Sequence, residues 1–219
     1  MLRLGVNLLL ASLMVLFAGT GAHADTILFA NLTNAQENPP AIPTTSAGSP
    51  RPASFGTATF GLNDARTAMT FSSTVFNIDF TGAQTPDVND NLTVAHIHAG
   101  PNVTPNTNGP VVWGFFGTPF NDNNPNDVVV NPFSTGVGGT ISGKWDALEG
   151  NNTTLTAQLS NIQEGRSYIN FHTTQFPGGE VRGAITVVPE PSALVLFGTG
   201  AVGLFGLDRL RRRRLAGTA

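Results

Sequence analysis

Apolar and polar residues alternate through most of the chain between Asp25 and Val187, in runs too short for long helices. In Ala68 to Phe76, Met69, Phe71 and Ser73 fall on one side, with Ala68, Thr70, Ser72, Thr74 and Phe76 on the other. A period of two puts alternate residues on one face of an extended strand, so each run lays one side on a core. The same alternation is read in Thr154 to Leu159, where Leu155, Ala157 and Leu159 interleave with Thr154, Thr156 and Gln158. Further runs at Thr26 to Leu32, Ser54 to Leu62, Leu92 to His98, Val111 to Phe116, Gly139 to Ser142, Ser167 to Thr173 and Glu180 to Val187 are bounded by turn residues. About nine short strands and no amphipathic helix beyond two turns predict an all-β sandwich or barrel. Two stretches read as mobile loops: Asn38 to Pro52, rich in Pro, Ser, Thr and Ala, and the Asn/Asp-rich Phe120 to Pro132.

The two ends follow other rules. Residues 1–24 carry a basic start at Arg3, an apolar run from Leu8 to Ala18, and Ala22-His23-Ala24, the small-x-small pattern of a signal-peptidase site. This predicts a signal peptide removed near Asp25, leaving an exported domain over residues 25–187. At the far end, residues 188–219 place Pro189, Glu190 and Pro191 before an uncharged apolar run from Ser192 to Leu207. The basic residues Arg209, Arg211, Arg212, Arg213 and Arg214 follow. The run reads as a transmembrane helix whose basic flank stays in the cytoplasm. The three-part order resembles the PEP-CTERM sorting signal. That resemblance implies recognition by a membrane-embedded exosortase in a Gram-negative bacterium that makes extracellular polysaccharide. The plainer alternative is a permanent single-pass anchor.

Setting the ends aside changes the charge. Between Asp25 and Glu190, thirteen acidic against five basic side chains leave the segment about eight charges negative, although the whole chain is only −3. An acidic domain with one lysine makes nucleic acid an unsuitable partner and cations a better one. Without cysteine the domain folds with no disulfide, and its length allows an ordinary core.

Candidate chemistry gathers in two histidine motifs, Ala95-His96-Ile97-His98-Ala99-Gly100 and Asn170-Phe171-His172-Thr173. On strands, His96 and His98 share a side, and His172 opposes the core-facing Phe171. Three imidazoles suit a transition metal such as zinc or copper, completed by Glu37, Glu180 or water. They equally suit strand-bridging hydrogen bonds. Glu37, Glu180 and Arg182 read as a structural ion pair between the chain ends. Asp87, Asn89 and Asp90, with Asp122, Asn124, Asn126 and Asp127, form a weaker candidate for calcium, against a plain role in turns. Trp113, Phe115, Phe116 and Phe120 read first as core, and where exposed they would stack on sugars or a partner.

Those motifs occur in a particular order. Gln36-Glu37-Asn38-Pro39-Pro40 precedes Ser54-Phe55-Gly56-Thr57-Ala58, then His96-Ile97-His98-Ala99-Gly100 and Asn108-Gly109-Pro110-Val111-Val112. Tyr168-Ile169-Asn170-Phe171-His172-Thr173 and Gly178-Gly179-Glu180-Val181-Arg182-Gly183 close the series. The series resembles the CHRD domain family, named for repeats in chordin, from about Thr26 to Ile185. The resemblance implies a Greek-key-like all-β domain and carries no settled activity.

The chain contains no nucleophile elbow, phosphate loop or dinucleotide fingerprint, so no enzyme activity is expected. The leading expectation is an exported surface or matrix protein linked to exopolysaccharide or biofilm, binding polysaccharide or another surface protein. The alternative is a metal-binding protein or metalloenzyme using His96, His98 and His172, similar to copper/zinc superoxide dismutase in its His-x-His strand. It has fewer histidines than that enzyme's two metals need.

Overall fold

The computed structural model describes residues 25–189. The expected leader (1–24), Glu190, Pro191, the apolar run 192–207 and the arginines of the tail lie outside the described residues. Among the described residues no helix is long and apolar enough to cross a membrane.

Among the described residues ten strands form, most of them on the alternating or apolar runs. They are β1 (Thr26–Thr33), β2 (Phe55–Leu62), β3 (Ala68–Phe76), β4 (Leu92–Ala99), β5 (Val111–Phe116), β6 (Val129–Pro132), β7 (Gly138–Asp146), β8 (Ser167–Thr173), β9 (Val181–Ala184) and β10 (Thr186–Val187). All pair antiparallel in one sheet of order β5-β4-β8-β9-β1-β2-β3-β7-β6, with β10 on β1. The fold is therefore all-β, built as one continuous sheet that curls, not as two separate sheets. Curling is visible in the core. Phe71 of β3 meets Phe115 of β5 at 4.7 Å between ring centroids, and Trp113 of β5 stacks on Trp145 of β7 at 5.5 Å. These strands stand far apart in the sheet order, so its two ends face one another across a single core.

Two expected elements change. Residues Leu155–Gln163 form a helix, α1, where a strand is expected from alternation. Leu155 and Ile162 are buried and Leu159 packs against the core, at offsets of four and three that define one helical face. The Thr154 hydroxyl accepts from the Ala157 amide and caps the first turn. Leu155 and Leu159 satisfy both periods, and Ile162 decides between them. The second change is β6, hidden within the polar 120–132 stretch. It is a mostly exposed edge strand without alternation, and Pro132 at its end costs no ladder bond there.

The 38–52 loop is pinned, contrary to its reading as mobile. Arg51 reaches Glu180, and the Thr44 amide donates to Gln175 Oε1 at 3.0 Å.

Candidate functional site

Register between β4 and β8 builds the site. His96 pairs with Asn170, His98 with Tyr168, and Val94 with His172. Paired residues share a face, so the three histidines, Asn170 and Tyr168 lie opposite the core residues Ala95, Ile97, Ile169 and Phe171. The outer face is normally wet, yet here loops cover it. His96, His98 and His172 retain only 4, 8 and 5 % exposure.

Each covering loop offers one backbone carbonyl. His96 Nε2 lies 3.2 Å from Thr118 O, His98 Nδ1 lies 2.9 Å from Gly109 O, and His172 Nδ1 lies 2.9 Å from Pro177 O. A carbonyl only accepts, so the ring nitrogen facing it carries the proton and the other keeps a lone pair. Those other atoms, His96 Nδ1, His98 Nε2 and His172 Nε2, are buried without a hydrogen-bond partner. The three residues bring their ligand atoms within 4.8 Å of one another. Ring centroids stand 5.0 Å apart for His96 and His172 and 5.8 Å for His96 and His98.

Burial keeps the cluster neutral. Desolvation, then repulsion from His172, pushes His96 down to about 4. His98 falls to about 3, chiefly by burial, with His172, His96 and Arg182 adding repulsion. His172 is lowered by burial as well.

Outer layers hold these carbonyls in place. Tyr168 stacks on His98 at 4.6 Å with rings 5° from parallel, and the Arg182 guanidinium lies 3.6 Å over the Tyr168 ring. Arg182 also donates to Asn108 Oδ1, Thr104 O and Thr107 O, while the Gly109 amide donates to the Tyr168 hydroxyl. These bonds fix the 104–109 loop and, through it, the carbonyl facing His98. On the other side, a Cβ at Gly114 would lie 1.8 Å from Pro119 O. Glycine there lets the 117–120 loop approach and bring Thr118 O to His96.

The expected ion pair is corrected by this geometry. Glu180 takes Arg51, with Nη1 2.7 Å from Oε1, and also accepts from Thr173 Oγ1 at 2.6 Å and from Ser54. Arg182 is occupied by carbonyls and forms no salt bridge with Glu37 or Glu180. Glu37 is 6 % exposed, and its Oε1 has no partner. Burial pushes its carboxyl up to about 7, against the pull of the Arg182 guanidinium. Neither glutamate joins the histidine cluster.

Among the calcium candidates, some carboxylate oxygens accept backbone amides in turns, while Asp122 Oδ1 and Asp127 Oδ1 are buried without a hydrogen-bond partner. The Asp87 carboxylate accepts from the Ser46 and Asn89 amides, and Asp122 Oδ2 accepts from the Asp127 and Val128 amides at 2.8 Å. Trp113 and Phe115 are fully buried, Phe116 is half-buried, and Phe120 is 38 % exposed. Arg51, the stacking role of Tyr168 and the three carbonyls are not read from the sequence. Backbone carbonyls leave no mark on residue type, and Arg51 sits in a stretch without periodicity.

Comparison with known proteins adds two matches. The family model described as CHRD domain matches residues 28–185, and the one described as PEP-CTERM protein-sorting motif matches residues 187–214. No curated protein and no solved structure matches the chain.

Proposed function

The chain belongs to the CHRD domain family, and on that premise we propose that it is an exported, non-enzymatic surface protein that binds extracellular polysaccharide. The observation carrying this reading is order: the sorting motif begins two residues after the CHRD match ends. A PEP-CTERM motif implies export, processing at the membrane by exosortase-type machinery, and delivery to the surface. The domain therefore works outside the inner membrane.

The ligand class rests on the outer face of β1, β2, β3 and β7. Register lines up Asn31, Thr57, Thr74 and Thr140 in one row, and Phe29, Thr59, Ser72 and Ser142 in the next. At one end Phe55 and Phe76 stack at 4.9 Å while 49 and 38 % exposed. Uncharged hydroxyl rows beside an exposed aromatic pair match a neutral, hydroxyl-rich polymer, to which they offer hydrogen bonds and a stacking surface. Hydroxyls on this face stay in water without cost, so their number is compatible with a stable fold.

The test is retention of the full chain on exopolysaccharide purified from its own host. Wild type is retained, and Thr59→Glu alone is released while melting normally. Equal retention of both would remove the polysaccharide reading. Deletion of residues 187–219 is expected to abolish surface display, and unchanged display would remove the sorting reading.

A further inference from the structure

Three buried lone pairs converge where no proton donor meets them. Chance burial of histidine does not produce this pattern, because a buried imidazole ordinarily satisfies both nitrogens or leaves one facing water. Here each ring is tied through one nitrogen to a backbone carbonyl, which sets its tautomer and its rotation. The remaining nitrogens are buried and unpaired. Histidine ligands to metals are held in this way, the second ring nitrogen donating to a carbonyl or carboxylate.

We propose that His96 Nδ1, His98 Nε2 and His172 Nε2 bind one transition-metal ion, copper or zinc. One ring nitrogen from each histidine lies within 4.8 Å of the others, a bound above the roughly 3.3–3.6 Å between nitrogens that each stand about 2.0–2.1 Å from one ion. Binding one ion requires the rings to draw together from these positions. The donor set selects the ion class. Three neutral imidazoles with no carboxylate or thiolate suit zinc and copper and disfavour calcium and magnesium, which need oxygen ligands. Copper is bound more tightly than zinc by such a set. Three protein ligands leave one position of a tetrahedral ion free for water or a small anion.

The site is built before metal arrives. Its carbonyl partners come from three loops held by contacts independent of any ion: Arg182 to Asn108 and Gly109 to Tyr168, Asn121 N to Gly114 O, and Gly179 N to Phe176 O. Metal removal therefore leaves the sheet intact, unlike a zinc finger. The inference stands apart from polysaccharide binding, which uses the Thr/Ser face of other strands.

Calorimetric titration of the chelator-treated full chain with Zn2+ and, separately, Cu2+ tests it. One ion per chain is expected, with affinity falling on the order of 100-fold or more in His96→Gln and in His172→Gln. Asp87→Asn and Asp127→Asn should bind as wild type does. Absence of stoichiometric binding, or affinity unchanged in both histidine variants, overturns the proposal. Should those variants fold poorly, electron paramagnetic resonance of Cu2+ on wild type still decides. Hyperfine coupling to imidazole nitrogens supports the site, and an oxygen-only signal overturns it.

Discussion

Glu180 and Arg51 lie 129 residues apart and form a two-pronged ion pair under the sheet, with side chains 0 and 6 % exposed. The pair ties the 38–52 loop to the turn before β9. Thr173 and Ser54 hydroxyls occupy the carboxylate further, so the buried charge is neutralised and solvated by the protein itself.

Removing one partner strands the other. Arg51→Met is expected to cost about 3–5 kcal/mol, because the Glu180 carboxylate remains buried without a counter-charge. Arg51→Lys should recover only part of this, since an ammonium cannot reproduce the fork. Urea denaturation measures both, and a loss below about 1 kcal/mol for Arg51→Met would contradict the arrangement.

Glu37 gives stability an opposite dependence on pH from that of an ordinary ion-paired acid. Its folded pKa, about 7, is above the ordinary value of 4.5. The folded state therefore holds the proton more tightly, and this stabilisation is complete below about 4.5 and lost as pH rises through 7. Glu37→Gln, neutral at every pH, should be more stable than wild type at pH 8 by roughly 1–3 kcal/mol. The two should converge near pH 4. A constant difference from pH 4 to 8 would contradict the raised folded pKa of Glu37.

The histidines work in the reverse sense. Burial lowers His96 to about 4 and His98 to about 3 from 6.5, so the unfolded chain binds protons that the folded chain refuses. Their contribution is present above 6.5 and lost as pH falls through 4 and 3. Nuclear magnetic resonance of the metal-free protein should find His96 and His98 neutral at pH 5.5. Protonated rings there would contradict the burial.

Much of this was legible in advance, and the parts that were not share a cause. Most strands follow from short alternating or apolar runs bounded by turn residues, a pattern that depends on which side of the chain meets the core. The Leu155–Gln163 helix was not legible because Leu155, Ala157 and Leu159 mimic a strand, and only Ile162 reveals the longer period. The same limit applies at the site. His96, His98 and His172 were identifiable from residue type and strand parity. The choice of Arg51 over Arg182 as the partner of Glu180 depends on a loop of no periodicity folding back across the chain. Arg182 shares the outer face with Asn170 and is drawn to the 104–109 carbonyls, a geometry that sequence spacing does not encode.

Gly114 tests whether the loops set the histidine geometry. A methyl group there meets Pro119 O, so Gly114→Ala should push the 117–120 loop outward and release His96 Nε2 from Thr118 O. A destabilisation of about 1–3 kcal/mol is expected, together with a His96 ring that exchanges between tautomers in nitrogen-15 spectra. An unchanged His96 spectrum would separate the loop from the site.

The PEP-CTERM motif implies that this CHRD domain is exported and processed at the membrane before it reaches the surface. Mass spectrometry of the native protein from its cell envelope and medium tests this most directly. The expected product is a polypeptide that starts near Asp25 and lacks the arginines beyond Leu207. A full-length chain found dissolved in the cytoplasm would contradict export.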